Sequence, residues 1–364
     1  MALEHEHILC DLLTRRQLCR LGDYKVIYLP NAVCLSELET KAFRDYVQKG
    51  GTLVASYRSS LADEWGNLKD NFQLADVFGV DYAGCKIEPY LALQMMLQQP
   101  ETFDLEAWEN PCVTVDQPAI AVTLRHGANE LAKLYERYGP SDIPSELPAI
   151  RNAFVKRESY APAMVENRFG KGRCIYFAPR VFHSFADHKT PEIRKLVAGR
   201  LLAREFALAA VRLEAPGCVK LSAFERPHEG RWIIHLVNNQ SNPGDTYRPI
   251  HHLPLTDFIL PIHDLKLILN TGGRKVKGVS AKVSGAPVAM RAETSRYILV
   301  IPKLHIHEVI VVDFTEKWES PPEKFLEKDP LAMIHCALPA KGFSGEKIKK
   351  HFTDNWNGMG AGQG

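Results

Sequence analysis

The residues that could do chemistry lie together in one short stretch, LVASYRSSLADEWG, which runs from Leu53 to Gly66. It begins as an apolar, strand-like run and ends as a polar loop that carries Ser59, Ser60, Asp63, Glu64 and Trp65. Hydroxyls and carboxylates supply the nucleophiles, acids and bases of hydrolases, and an indole can stack on a sugar ring. The loop therefore either performs a reaction itself or shapes the site of another domain.

A nucleophile needs an activating context, which the serines and cysteines of this chain lack. Hydrolases with an α/β fold hold the nucleophile on a strained turn between strand and helix, with glycines two residues to either side. No serine or cysteine lies in a G-x-S-x-G or G-x-C-x-G pattern. Cys34 comes closest, because it follows a predicted strand, but its apolar loop is typical of a buried structural thiol. No catalytic residue is assigned.

The two carboxylates of the loop are adjacent, so in regular structure they would point apart. Glycoside hydrolysis needs two carboxyl groups on opposite sides of one bond, about 5–9 Å apart. We therefore expect Asp63 or Glu64 to cap the following turn or to pair with Arg58. Trp65 offers a flat apolar face to a neighbouring domain or to a sugar ring, and packing against a domain is favoured.

Histidines raise the question of a metal site. The relevant groups are His5-x-His7, His251-His252, His305-x-His307 and the cluster of His183, Asp187 and His188. His305 and His307 would share one face of a strand, but no third ligand stands nearby, so we expect neither a metal nor a cofactor. The cluster around His183 is interpreted as a solvated loop in preference to a sugar contact.

The elements that position the loop follow a strand–helix–strand order. The YKVIYL run over residues 24–29 predicts a buried strand, and the SELE sequence from Ser36 is a capping box that starts a helix. Gly50-Gly51 ends that helix, and TLVAS over residues 52–56 predicts the next strand, parallel to the first. The loop thus lies at the carboxyl end of its strand, and the segments PNAVCLS and APRVFHSFADH are placed at the same edge of the sheet. Open α/β sheets bind ligands at this edge.

The remaining pattern divides the chain into regions. From Val211 onward, seven strand-like segments follow at turn-punctuated spacing, which is typical of a β-sandwich. We expect an α/β domain over residues 1–211, a sandwich over 212–314 and a weakly ordered tail over 315–364. Within these regions, Ala128–Tyr138 is predicted to be helical, and Thr271-Gly272-Gly273 is predicted to be a hairpin turn.

Composition excludes several classes of function. The net charge is +2 over 364 residues, without a basic stripe, which argues against a nucleic-acid partner. No apolar run approaches the roughly 18 residues of a membrane helix, so no membrane contact is expected. The N-terminus has no signal-peptide pattern, and the eight cysteines are scattered without a C-x-x-C pair. A cytoplasmic protein with mostly reduced thiols is predicted.

The order of these motifs resembles a known family. The similar features are Leu29-Pro30-Asn31 after a strand, a helix that ends in two glycines, Asp63-Glu64-Trp65-Gly66, and the FQLADVFGV segment over residues 72–80. A later RFGKGRCIYFAP segment and His235-Leu236-Val237-Asn238 in the β region also fit. The pattern is similar to the trimerisation domain of glycoside hydrolase family 42 β-galactosidases and related glycosyl hydrolases.

The resemblance implies a flavodoxin-like or class I glutamine amidotransferase-like parallel sheet without the catalytic cysteine, followed by a small all-β sandwich. In that family the domain packs against a catalytic barrel that carries the reactive glutamates, mediates oligomer contacts, and in some members lends residues to a neighbouring active site. A barrel needs roughly 250 residues, for which the pattern here has no room. The first strand usual for the sheet is missing too, which predicts an exposed sheet edge that a partner covers.

We therefore expect a non-catalytic oligomerisation and substrate-shaping region of a β-galactosidase-like glycoside hydrolase. Its expected partners are a catalytic barrel, further copies of the chain in a dimer or trimer, and carbohydrate. The residues expected to contact substrate or partner are Tyr57, Arg58, Asp63, Glu64, Trp65 and His183. Two alternatives stay open: a self-sufficient glycoside or ester hydrolase that uses the 56–66 loop, and a stand-alone sugar-binding protein.

Overall fold

The computed structural model describes residues 2–87, 93–98, 112–137, 155–188, 190–199, 202–207, 209–240, 259–294 and 296–319. An α/β region contains a mixed seven-stranded sheet with helices and a small two-stranded sheet, and a β region contains two four-stranded antiparallel sheets. The predicted fold class, an α/β unit followed by an all-β unit, is confirmed. None of the described helices is long and apolar enough to cross a membrane.

The elements have the following bounds. The helices are α1 (Ala2–His5), α2 (Glu37–Gln48), α3 (Ala75–Phe78), α4 (Val181–His188), α5 (Pro191–Ala198) and α6 (Ala203–Phe206). The strands are β1 (Val26–Pro30), β2 (Thr52–Ser56), β3 (Val80–Ile87), β4 (Leu93–Leu97), β5 (Cys112–Val115), β6 (Ala119–Leu124), β7 (Asn129–Arg137), β8 (Val155–Phe169), β9 (Gly172–Phe177), β10 (Val211–Glu214), β11 (Val219–Arg226), β12 (Arg231–Asn238), β13 (Ile262–Leu269), β14 (Val276–Ala281), β15 (Ala289–Ala292), β16 (Tyr297–Leu304) and β17 (His307–Phe314).

Parallel pairing in the large sheet is confined to three strands. The sheet has the order β1-β2-β9-β8-β7-β4-β5, and its parallel pairs are β1–β2 and β2–β9, whereas β9 pairs antiparallel with β8. Leu53 of β2 is in register with Ile27 of β1 and with Cys174 of β9. The carboxyl ends of these three strands therefore meet at one edge of the sheet, as the sequence predicts.

The helix between β1 and β2 forms where its sequence signals place it. The Ser36 hydroxyl accepts a hydrogen bond from the Glu39 amide, and the Glu39 carboxylate accepts one from the Ser36 amide at 2.8 Å. Gly50 adopts φ +117°, and a side chain at Gly51 would collide with the Tyr46 ring, 2.2 Å from the ideal Cβ position. Only glycine suits this turn, which fixes where β2 begins.

Both faces of the parallel strands are covered. Val54, Ile175 and Phe177 belong to one apolar cluster, whereas Leu53 and Tyr176 belong to the other. This alternation follows from the two-residue period of a strand. All five residues of β2 are buried, which is typical of an interior strand of a parallel sheet, whereas β1 is the terminal strand of the sheet.

The β region packs two sheets around an apolar core. Their strand orders are β10-β13-β16-β15 and β11-β12-β17-β14, so all seven predicted strands are present and β10 adds an eighth. Alternate residues of β12 point inward, with Trp232 only 2% exposed. Trp318 also packs against this core, four residues beyond the end of β17.

Three local predictions are wrong. The stretch predicted as a helix from Ala128 is strand β7, because it pairs with β4 on one side and β8 on the other; Tyr138 lies outside the described residues. The predicted loop around His183 is helix α4, whose Val181 and Phe185 face the core at helical spacing. The turn at Thr271 joins strands of different sheets, so it is not a hairpin.

Candidate functional site

Three loops are tied together at the carboxyl edge of the parallel strands. We name them loop A (residues 31–36, after β1), loop B (57–69, after β2) and loop C (178–180, after β9). Between loops A and B, the Ser60 amide donates to the Ala32 carbonyl at 2.8 Å, and the Ala62 amide donates to the Val33 carbonyl at 3.0 Å. These bonds make loops A and B one unit.

Loop B is also fixed to the end of β9. The Tyr57 amide donates to the Phe177 carbonyl at 2.7 Å, and the buried Tyr176 hydroxyl donates to the Tyr57 carbonyl at 2.6 Å. From loop C, the Arg180 guanidinium carbon lies 5.7 Å from the centre of the Tyr57 ring. This cation–π contact joins loop C to loop B.

The two hydroxyls that suggested chemistry hold the loops together. Ser59 and Ser60 are completely buried. The Ser59 hydroxyl lies 2.8 Å from the Leu29 carbonyl oxygen and 2.8 Å from that of Ser56, and it accepts a hydrogen bond from the Ala32 amide. A hydroxyl bonded in this way to three backbone groups is shielded from any substrate.

The backbone at this edge adopts conformations that side chains rarely tolerate. Asn31, Tyr57 and Ser60 have φ values of +58°, +53° and +62°, and they are three of the five non-glycine residues with positive φ in the described chain. Such conformations cluster at functional sites, because the surrounding structure must hold them in place. In α/β hydrolases the nucleophile adopts a left-handed backbone conformation directly after a strand, and Tyr57 occupies such a position. Its side chain, however, is a phenol that is only 5% exposed.

Asp63 caps the turn inside loop B, which is one of the alternatives that the sequence predicts for the two carboxylates. Its carboxylate accepts hydrogen bonds from the Trp65 and Asn67 amides at 3.0 and 2.9 Å, and it pairs with the Lys69 ammonium at 3.3 Å. Desolvation would raise the pKa of Asp63, but hydrogen bonds from Asn67, Lys69 and Trp65 outweigh it and hold the pKa below the ordinary 3.8. The carboxylate is thus committed to the loop.

The other candidate residues of loop B are accessible. Arg58 and Glu64 are partly exposed, and Trp65 is 46% exposed. Leu68, which bridges to Ala62, is 62% exposed, and Leu38 in the first turn of α2 is 63% exposed. We name Leu38, Trp65 and Leu68 the edge patch. All three are large apolar side chains on loop B or on the helix that follows loop A.

His183 lies on α4, directly after loop C, in a network of imidazoles and carboxylates. Its Nε2 atom is 3.7 Å from the Asp187 carboxylate, which also accepts a hydrogen bond from the Gln117 amide at 3.2 Å. His188 Nε2 lies 2.6 Å from the Asp116 carboxylate. The structure therefore joins α4 to the β5–β6 connection.

This network does not form a catalytic relay. Desolvation raises the pKa of Asp116, but hydrogen bonds from Ser184 and His188 outweigh it, so the pKa stays below 3.8. Ser184 is 2% exposed and bonds to the carboxylate, whereas an activated serine bonds to an imidazole that can take its proton. Across the described residues, no group of three or more histidine, cysteine, aspartate or glutamate side chains could hold a metal ion.

The predicted contact residues are thus divided between two elements. Loop B holds Tyr57, Arg58, Asp63, Glu64 and Trp65, and α4 holds His183. Sequence reasoning missed Arg180 and Asp116. Arg180 stood in a segment already placed at the correct edge, whereas Asp116 lies in a part of the sequence whose pattern gave no clear strands.

Comparison with known proteins decides the family. The family model described as the beta-galactosidase trimerisation domain matches residues 2–196. The chain belongs to this family. The residues that match the trimerisation domain include all three loops, the edge patch and α4. The part of the chain that carries the site is therefore the part that is related to glycoside hydrolases.

Solved structures show the same fold at low sequence identity. An α-L-fucosidase isoenzyme 2 from Paenibacillus thiaminolyticus is 19% identical, with a TM-score of 0.67 over 86% of this chain and 44% of that one. A β-galactosidase from Rahnella sp. R3 is 17% identical, with a TM-score of 0.53 over 85% and 35%. A β-galactosidase from Bacillus circulans sp. alkalophilus is 14% identical, with a TM-score of 0.52 over 85% and 36%.

The trimerisation domain and β region together span less than half the length of these glycosidases. The structural similarity extends into the β region, because 86% of this chain aligns with the fucosidase, whereas the family model matches only residues 2–196. No curated protein matches the chain.

Proposed function

We propose that this chain is the non-catalytic oligomerisation and substrate-shaping region of a β-galactosidase-like glycoside hydrolase. The observation that carries the proposal is the edge patch. Leu38 is exposed in the first turn of α2, and Trp65 and Leu68 are exposed on loop B, which is held in place by Ser59, Asp63 and the backbone bonds to loop A. A rigid surface loses little conformational entropy on association, which favours a docking role.

The chemistry of loop B supports a role without catalysis. Both serine hydroxyls are buried and bonded, and Asp63 is bonded to its own turn. Glu64 is the one carboxylate of the loop without such a role, and hydrolysis of a glycoside requires two that face each other. The reactive pair would therefore come from a catalytic barrel, on a separate subunit or in another segment.

The proposed partners follow from this division of labour. The edge patch would contact a second copy of the chain in a dimer or trimer, while the barrel would bind the carbohydrate and Trp65 or His183 would border its site. The seven described cysteines are free thiols, which supports the predicted location in the cytoplasm.

The test of non-catalytic function is an activity assay of the purified chain with aryl β-galactosides. We expect no turnover by the chain alone, and activity when a β-galactosidase barrel that lacks its own trimerisation domain is added. Glu64→Gln should leave the restored activity unchanged. Turnover by the chain alone that Glu64→Gln abolishes would instead establish the self-sufficient hydrolase.

A stand-alone sugar-binding role is the second candidate. It is favoured by the half-exposed indole of Trp65 next to the partly exposed Glu64 and Arg58, since aromatic faces stack on sugar rings while charged groups bond to hydroxyls. Calorimetry with galactosides separates the two functions. Saturable binding that Trp65→Ala removes, by a chain that stays monomeric, would favour the binding protein.

A further inference from the structure

Two histidines on the outer surface of the β region face each other closely enough to hold one metal ion. The Nδ1 atom of His235 lies 3.2 Å from the Nε2 atom of His307, and the two rings are nearly parallel, at 8° with centres 5.4 Å apart. His235 lies on β12 and His307 begins β17. Neither residue belongs to the family match, so this pair is independent of the proposed function.

The sheet register holds the two side chains on the same face. Val237 is directly opposite His307, and His235 is opposite Val309, so the histidines are diagonal neighbours across two paired strands. Their own neighbours Leu236 and Glu308 point to the other face and are buried. Diagonal pairs on one face of a sheet are within reach of long or aromatic side chains.

One side of the pair is supported by an aromatic ring. The Phe224 ring on β11 meets the His235 ring edge-on, at 85° with centres 5.9 Å apart. Phe224 itself is 57% exposed, so the pair lies at an open surface. Support of this kind reduces the torsional freedom that His235 would lose on binding a ligand.

The separation of the two nitrogens fits metal coordination. Zinc–imidazole bonds are about 2.0–2.1 Å long, so two nitrogens on one ion lie about 3.3 Å apart at a tetrahedral angle and about 2.9 Å apart at a right angle. The observed 3.2 Å lies between these values. Because the rings are nearly parallel, binding also requires a rotation about the last torsion of at least one ring, which is a soft torsion, so that both lone pairs point at one ion.

We propose that His235 and His307 form a two-ligand surface site for a late first-row divalent cation such as Ni²⁺, Cu²⁺ or Zn²⁺, with water in the other positions. Imidazole is the side chain that these ions share as a preferred ligand. The hydrogen bond between the rings needs one N–H and one lone pair. Binding therefore requires that one neutral ring move its proton to its other nitrogen, and no proton is lost.

Two lysines limit the affinity of the site. Lys220 lies opposite Val237 on β11, and the Lys282 amide donates to the Val309 carbonyl, so both lysines flank the same strands. Lys220 is paired with Glu4 of α1 at 3.8 Å. The lysine charges repel a cation, and salt screens this repulsion. The site should therefore bind a cation more tightly at high ionic strength than at low ionic strength.

The test is a calorimetric titration of the full chain with Ni²⁺. We expect one equivalent to bind, with affinity at least tenfold weaker in His235→Ala and in His307→Ala. His228→Ala removes an exposed histidine elsewhere in the β region and should bind as wild type does. A His251→Ala/His252→Ala variant, which removes a tandem pair outside the described residues, should also retain the site.

Nuclear magnetic resonance locates the bound metal directly, so the result does not depend on whether a variant is destabilised. Paramagnetic Ni²⁺ should broaden the Phe224 ring and Ser222 amide signals first, because Ser222 lies opposite His235. Thermal denaturation of each variant without metal checks that the sheet is intact. Absence of stoichiometric binding, or an affinity that falls by less than tenfold on loss of either histidine, would overturn the proposal.

Discussion

The carboxyl edge of the parallel strands and the core of the sandwich use polar groups in opposite ways. At the edge, Ser59, Asp63 and Tyr176 bond to loop backbone, and non-glycine residues are held at positive φ. In the sandwich, Trp232 and its neighbours fill an apolar interior between two regular sheets. The edge therefore depends on individual hydrogen bonds, and the sandwich depends on buried apolar area.

The contrast bears on the contact role that the proposed function gives to the edge. Backbone in such conformations persists only where surrounding bonds hold it, and here these bonds join the loops to the strand ends. The same loops expose Trp65 and Leu68, whereas the sandwich encloses its large aromatic residues apart from Phe224 among those described. In the proposed function, the edge contacts the partner and the packed core of the sandwich supplies stability.

The largest effect should come from the sandwich core. Trp232→Ala should lower the free energy of unfolding of the β region by about 3–5 kcal/mol, because it leaves a large cavity. The substitution also removes the edge contact between the Trp232 and Phe314 rings, whose centres lie 5.1 Å apart. Chemical denaturation followed by circular dichroism measures the loss. Phe224→Ala, at an exposed aromatic residue, should change stability by less than about 0.5 kcal/mol; equal losses in both variants would contradict a packed core.

A smaller loss should follow from removing one hydroxyl at the edge. Ser59→Ala should destabilise the α/β region by about 1–3 kcal/mol, because the Ala32 amide and the Leu29 carbonyl lose a buried partner. Urea unfolding gives the change, with Ser222→Ala as a matched substitution at an exposed serine. If both serine variants unfold at the same urea concentration, Ser59 does not hold the loops together.

The turn in loop B should be sensitive to acid. Because the folded-state pKa of Asp63 is held below 3.8, its contribution is present above pH 3.8 and is lost as the pH falls through the folded-state value. The difference in fluorescence between the wild type and a Trp65→Phe variant, which isolates the Trp65 signal, should change over this range. Asp63→Asn should abolish the acid-dependent step, and a step that persists in that variant would assign it to another group.

The smallest effect concerns the contact between the N-terminal turn and the β region. His7 Nε2 lies 3.3 Å from the Pro216 carbonyl oxygen, and burial lowers the pKa of His7 below 6.5. The unfolded chain then binds more protons just below pH 6.5, so stability should fall as the pH drops from 6.5 to the folded-state pKa. His7→Gln should flatten this slope in thermal unfolding, and the exposed His228→Gln should not.

Sequence patterns predicted the regular elements better than the site. The capping box at Ser36, the glycine turn at Gly50 and the strand over Arg231–Asn238 each depend on local chemistry, and the structure confirms them. Strand β7 was missed because pairing with β4 and β8 overrides the local preference of Ala128–Tyr138 for helix. Element type is thus predictable where local and tertiary preferences agree.

The site illustrates the same limit. Capping by Asp63 follows from a carboxylate that precedes a turn, and it was predicted. Burial of Ser59 and the Tyr57–Arg180 contact depend on how three separate loops meet, which no local spacing encodes. His235 and His307 are 72 residues apart in sequence, so only the strand register reveals the pair.

The most direct test of the account is sedimentation of the full chain over a range of concentrations. One chain has a mass of 41.0 kDa, so a dimer or trimer is readily resolved. We predict a concentration-dependent oligomer for wild type and a shift to monomer for Trp65→Ala/Leu68→Ala, with unchanged circular dichroism. A monomer at all concentrations, or an oligomer indifferent to this double substitution, would contradict the assignment of the edge patch as the contact surface.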